Sequence, residues 1–272
     1  MKERESRGRP ARRIALTSGL LTGFLLCLCG MAAAQLDGRK FVDLTYALDE
    51  STIAWPTNKP FHRDRTAWGV NAHGYWYASA DFFVSEHAGT HIDAPIHFAQ
   101  DQPSVDRIPV DRLVAPAVVV DVQKAVALDD DYRLGVDDLR AWETRHGRIP
   151  AGAIVVMRSG WGVRWPDRTK YFGSRTPDDP GTLHFPGFSQ EAAQFLITER
   201  AIVGIGVDTA SIDYGPSRDF IVHRIINGAG LYGLENIAHL DRVPETGAVF
   251  IALPIKITDG TGGPVRLIAL LP

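Results

Sequence analysis

"APAVVVDV", residues 115–122, is β-branched, apolar up to Asp121 and introduced by a proline. A strand with one wet face alternates apolar and polar residues, whereas an unbroken apolar run marks a strand covered on both faces. Four further runs read the same way: "AGAIVVMRS" (151–159), "AIVGIGVDT" (201–209), "TGAVFIALPIKI" (246–257) and "VRLIALL" (265–271). Helical segments separate some of them. "GVDDLRAWETRHG" (135–147) ends at a glycine, and "SQEAAQFLITER" (189–200) opens on a Ser N-cap and an acidic first turn. Strands interleaved with a few helices predict a mixed α/β fold, rich in β-structure.

Between two of these runs lies "GWGVRWPDRTKYFGSRTPDDPGTLHFPGF" (160–188), rich in Gly, Pro, Asp and aromatics and without a period. It reads as a long ordered loop. Such loops serve as a lid or pocket wall, or run as a surface excursion.

The first residues carry a different signature. "MKERESRGRPARR" is basic, "IALTSGLLTGFLLCLCGMA" is apolar and uncharged, and "AAAQ" supplies small residues for cleavage after Ala34. Residues 1–34 are therefore expected to be a secretory signal peptide, the alternative being an uncleaved anchor. Arg12-Arg13 also permits the twin-arginine route. The expected location is periplasmic or secreted. Cys27 and Cys29 both lie in this leader, so residues 35–272 contain no cysteine for a disulfide, a thiolate ligand or a nucleophile. The 272-residue chain has a net charge of −3, and its leader carries six Lys/Arg against two Asp/Glu, which leaves the remainder near −7. An acidic chain with no basic run argues against nucleic acid and anionic membranes as partners. Residues 35–272 are expected to form one domain.

Chemistry concentrates in "EHAGTHIDAPIHF" (86–98). Gly89 and Pro95 disfavour a helix. Read as a turn followed by an extended piece, Ile92, Ala94, Ile96 and Phe98 share one side and His91, Asp93 and His97 the other. Gly89 supplies a turn that returns His87 towards His91 and Asp93. Pro95 places the piece at a sheet edge or in an interrupted strand. Imidazoles and a carboxylate on one side suit Zn, Mn or Fe(II), with positions left for water. Asp208 and Asp213 stand just past a strand end, in a site or as turn formers. No Gly-x-Ser-x-Gly elbow and no phosphate-binding glycine loop occurs. His62, His73 and His146 read as surface groups, and His184 as a pocket residue only if the long loop folds inward.

"HAGTHIDAPIHF" resembles the His-x-Gly-Thr-His-x-Asp-x-Pro-x-His-Phe signature of the metal-dependent cyclase family, which includes bacterial kynurenine formamidases and isatin hydrolases. "TYALDESTIAWP" (45–56), "GVDTASID" (206–213) and "VHRIINGAGLYGLENIAHL" (222–240) resemble other blocks of that family. The resemblance implies a swivelling β/β/α domain and a homo-oligomer. It implies His87, His91 and Asp93 as ligands of a first metal, His97 as general acid/base, and His223 with Glu235 completing a second position. One or two ions, Mn or Zn, are expected. Read without the family, His223 belongs to a helix end or turn as a structural histidine. Trp55 matches an aromatic of the substrate pocket, although a lone Trp is as often core. The implied activity is hydrolysis of a small aromatic amide, with an isatin-like lactam favoured over N-formylkynurenine. An exported metal- or ligand-binding protein without turnover is the competing reading.

Overall fold

A computed structural model describes residues 40–272. The expected signal peptide, residues 1–34, lies outside the described residues. Lys40–Pro272 form one compact unit. No helix among the described residues is long and apolar enough to cross a membrane.

The strands in chain order are β1 (Phe41–Asp43), β2 (His62–Val70), β3 (Trp76–Phe83), β4 (His91–Asp93), β5 (Val114–Asp121) and β6 (Arg133–Leu134). They continue with β7 (Ile154–Arg158), β8 (Gly187–Phe188), β9 (Gly204–Val207), β10 (Tyr232–Glu235), β11 (Val249–Pro254) and β12 (Gly262–Leu270). Among the described residues, the longer helices that cross between parallel strands are α1 (Val136–His146), α2 (Gln190–Phe195) and α3 (Ile221–Gly228).

The eight-stranded sheet runs β1-β12-β11-β5-β7-β9-β10-β4, and β12 also pairs with β4. That second pairing, Gly262–Pro264 against His91–Asp93, bends the sheet into a barrel with β1 outside the ring. β5, β7, β9 and β10 are mutually parallel, and the remaining contacts are antiparallel. Closure abolishes the free edges of the ring strands.

The unbroken hydrophobicity of β5, β7 and β9 now has its cause. Ala117, Val119, Ile154 and Val156 point into the barrel with Ile92, Leu234, Phe250 and Leu267. Val118, Val120, Val155, Met157, Ile205 and Val207 point outward, under Leu139 and Trp142 of α1, Ala192 of α2 and Val222 and Ile226 of α3. The Ser189 hydroxyl accepts the Ala192 N–H at 3.0 Å and caps α2. α2 runs on into a π-helical turn, Leu196–Arg200, so the helical stretch spans the expected range.

The 160–188 segment is not a surface excursion. Trp161, Tyr171, Phe172, Leu183, Phe185 and Phe188 are all buried in the outer core. Among the described residues, β2 and β3 pair only with each other and form a hairpin that the sequence pattern does not announce. Trp68, Val70, Tyr75, Trp76, Tyr77, Phe82 and Phe83 are exposed on it, so no alternation marks a buried face.

Candidate metal centre

β4 sends Ile92 into the barrel and turns His91 and Asp93 to the opposite face. On its neighbour β10, Glu235 stands opposite His91. Gly89, at φ +61°, makes the turn that brings His87 back to the same spot. α3 delivers His223 from above. Extended alternation stops at Asp93, because Pro95 opens a 3₁₀ turn, Pro95–His97. The strand is thus interrupted and not at an edge, since β10 and β12 flank it. One expectation needs correction: Phe98 does not share the side of Ile92. The turn rotates it, and its ring meets His97 and His223, each at 4.6 Å between centroids.

All the expected donors converge. His87 Nδ1 lies 2.6 Å from Asp93 Oδ1, and His91 Nε2 lies 3.3 Å from Asp93 Oδ1 and 3.4 Å from Glu235 Oε2. His223 Nε2 is 3.2 Å from both Asp93 Oδ2 and Glu235 Oε1. Donor atoms of His91, Asp93 and Glu235 fall within 4.8 Å of one another, as do those of His87, Asp93 and His97. Asp93 belongs to both groups. His97 stacks on His87 with centroids 4.0 Å apart.

His91 and His223 are each held by the other ring nitrogen. His91 Nδ1 donates to the Gly89 carbonyl at 2.9 Å, and His223 Nδ1 donates to Asp213 Oδ2 at 2.7 Å. Nε2 of both rings is thereby aimed at Asp93 and Glu235. Such outer partners fix tautomer and ring orientation at metal sites. Asp213 also accepts the backbone N–H groups of Val222 and His223, so it caps α3 as well. Of the two aspartates the sequence left open, Asp213 belongs to the centre. Asp208 instead accepts Ser159 and Gly160 N–H groups and the Ser159 hydroxyl, holding the start of the long segment.

The buried charges favour a cation. Burial works to raise Asp93, but His91, His223 and His87 outweigh it and hold the carboxyl well below the usual range. Burial pushes Glu235 up, and the Asp93 charge adds to the shift. Burial opposes charge on His91, yet Asp93 and Glu235 carry it up to about 9. His223 is likewise raised, burial being overcome by its bonds to Asp213, Asp93 and Glu235. Protons on imidazoles thus balance the carboxylates, and a divalent ion would release them. His91 Nε2 is buried with no hydrogen-bond partner among the described residues, aimed between two carboxylates. Nitrogen and oxygen donors with no sulfur, around an orphaned imidazole nitrogen, fit a divalent cation. His97 differs: burial drives it down to about 3, so its imidazole is neutral.

Above the donors opens a cavity of about 200 Å³ whose apolar walls include Trp55, Phe98, Phe172 and Phe220. Trp55 meets Phe172 and Phe220 edge-on at 6.4 and 6.0 Å. Phe172 shows that the 160–188 segment provides a pocket wall. His184 is exposed and bonds Asp131, outside the cavity. His62 and His73 are exposed, and His146 bonds Glu245.

The family model described as "Putative cyclase" matches residues 42–214. An isatin hydrolase of Roseibium aggregatum is 34% identical over 260 residues, covering 90% of this chain and 97% of that protein. A kynurenine formamidase of Paracidovorax citrulli is 31% identical over 189 residues, 70% of this chain and 78% of that one. The solved structure of isatin hydrolase A from Labrenzia aggregata, bound to benzyl benzoate, superposes with a TM-score of 0.81 at 37% identity, covering 90% of this chain and 99% of that one.

Proposed function

The chain belongs to the cyclase family, and from that premise we propose a metal-dependent hydrolase that opens the amide C–N bond of a small aromatic lactam. The observation that carries this reading is the convergence of His87, His91, Asp93, His223 and Glu235 at the floor of an aromatic cavity, beside His97. The five donors would hold one or two ions, Mn or Zn, with Asp93 shared. When bound, a divalent ion supplies Lewis-acid chemistry, making water acidic enough to ionise near neutral pH and polarising a carbonyl.

The protein's own groups do the rest. His97 would accept a proton from the attacking water and return it to the departing nitrogen, a role worth about 10²–10⁴-fold. The stack on His87 and the contact with Phe98 hold its ring in place. Trp55, Phe172 and Phe220 clasp a flat substrate and exclude bulk water. The isatin-like lactam is favoured because the isatin hydrolase is 34% identical over 260 residues, whereas the formamidases are 31% identical over 189 residues or 27% over 234. Hydrolysis of N-formylkynurenine is the second reading. We further read residues 1–34 as a leader removed on export, supported by its basic start and apolar run. The exposed aromatics of the β2–β3 hairpin support a homo-oligomer.

Elemental analysis paired with mass-detected turnover tests the proposal. Stoichiometric Mn or Zn and a product of isatin heavier by one water are expected. Tight ion binding with no turnover of lactams or formamides would instead make the protein a binder, and full activity after exhaustive chelation would refute the metal's role.

A further inference from the structure

We propose that Glu86 and Thr261 form a positioning pair that selects which nitrogen of His87 faces the metal centre, an inference resting on the hydrolase reading above. Glu86 Oε2 accepts the Thr261 backbone N–H at 2.9 Å and the Thr261 hydroxyl at 2.5 Å. A hydroxyl has one proton and two lone pairs. With that proton committed to the carboxylate, Thr261 Oγ1 offers His87 Nε2 only an acceptor, at 2.8 Å. Nε2 therefore keeps its hydrogen, and Nδ1, 2.6 Å from Asp93, is the atom left to face a cation. His91 and His223 present Nε2, so His87 is held the other way round.

The ring is also seated by shape. A Cβ at position 262 would come within 2.7 Å of His87 Cε1 and 2.5 Å of the Ile92 carbonyl, so glycine there lets β12 press against both ring and strand. Because His97 stacks on His87, the same pair sets where the proposed acid/base lies. Glu86 and Thr261 touch no reacting atom, and they act through His87.

Thr261→Val removes the hydroxyl and keeps the shape, while Thr261→Ser restores the hydroxyl. Titration of the metal-free proteins with ZnCl₂ and MnCl₂ should show Thr261→Val weaker by roughly 10–100-fold, the usual cost of losing an outer partner of a ligand. Thr261→Ser should bind like wild type. In the zinc-loaded protein, ¹⁵N spectra should show a slowly exchanging Nε2–H on His87 that Thr261→Val loses. Unfolding midpoints of the metal-free variants should stay together, separating positioning from a general loss of fold. Wild-type affinity in Thr261→Val, or equal weakness in Thr261→Ser, would overturn the pairing while leaving the hydrolase reading intact. Failure of the wild-type protein to take up either ion would overturn that reading and this inference with it.

Discussion

Asp213 carries two duties on one carboxylate, and substitution can part them. Oδ2 accepts His223 Nδ1–H at 2.7 Å, and Oδ1 accepts the Val222 N–H at 3.0 Å at the start of α3. Asp213→Asn keeps a carbonyl oxygen for the Val222 N–H, gives up the acceptor of the His223 backbone N–H, and offers an N–H to the ring. That favours His223 with its proton on Nε2, pointing at Asp93 and Glu235, where a cation needs a lone pair. The cost should be about 10–100-fold in metal affinity, or about 1.4–2.8 kcal/mol at about 1.4 kcal/mol per tenfold. Asp213→Ala should lose a similar factor in affinity and also the cap, roughly 1 kcal/mol of stability. For a protein of this size that is a midpoint about 2–4 °C below that of Asp213→Asn. Chelator competition measures the first quantity and calorimetry of the metal-free proteins the second. Wild-type affinity in Asp213→Asn would refute the reasoning, because it would mean that the orientation of His223 does not matter to the ion.

Further substitutions probe separate parts of the site. His97→Ala should keep its metal by elemental analysis and lose about 10²–10⁴-fold in kcat; unchanged turnover would remove His97 from the chemistry. His91→Ala should lose metal and activity together, because its unpartnered Nε2 sits between two carboxylates. Trp55→Ala should mainly raise KM, losing a ring contact of about 0.5–1.5 kcal/mol, roughly two- to twelvefold in kcat/KM; steady-state kinetics on isatin would read it.

How much of this could be read beforehand depended on how local each cause was. β5, β7 and β9 announced themselves because both of their faces are covered, one by the barrel interior and one by helices. The hairpin stayed silent because both faces of β2 and β3 are open to solvent. β4 has three residues, too few for a period to show, and the alternation read through Phe98 failed where Pro95 turns the chain. At the candidate site, His87, His91 and Asp93 share one short segment, and their convergence could be read from residue chemistry. His223 and Glu235 needed the family pattern. Asp213 was left between site and turn because it serves both purposes. Glu86 and Thr261 were invisible, since the hydroxyl that holds His87 lies 174 positions away along the chain.

The seam between β4 and β12 places the earliest donors of the chain under the control of its last strand. During synthesis, the segment bearing His87, His91 and Asp93 emerges long before the residues that wall it in. A partly made chain would therefore own chelating groups without a finished cage, and any ion it gathered would be loosely held. Without β12, β4 would keep β10 as its one flanking strand, and His87 would lose the hydroxyl of Thr261. Neighbours far apart along the chain thus meet at this one seam.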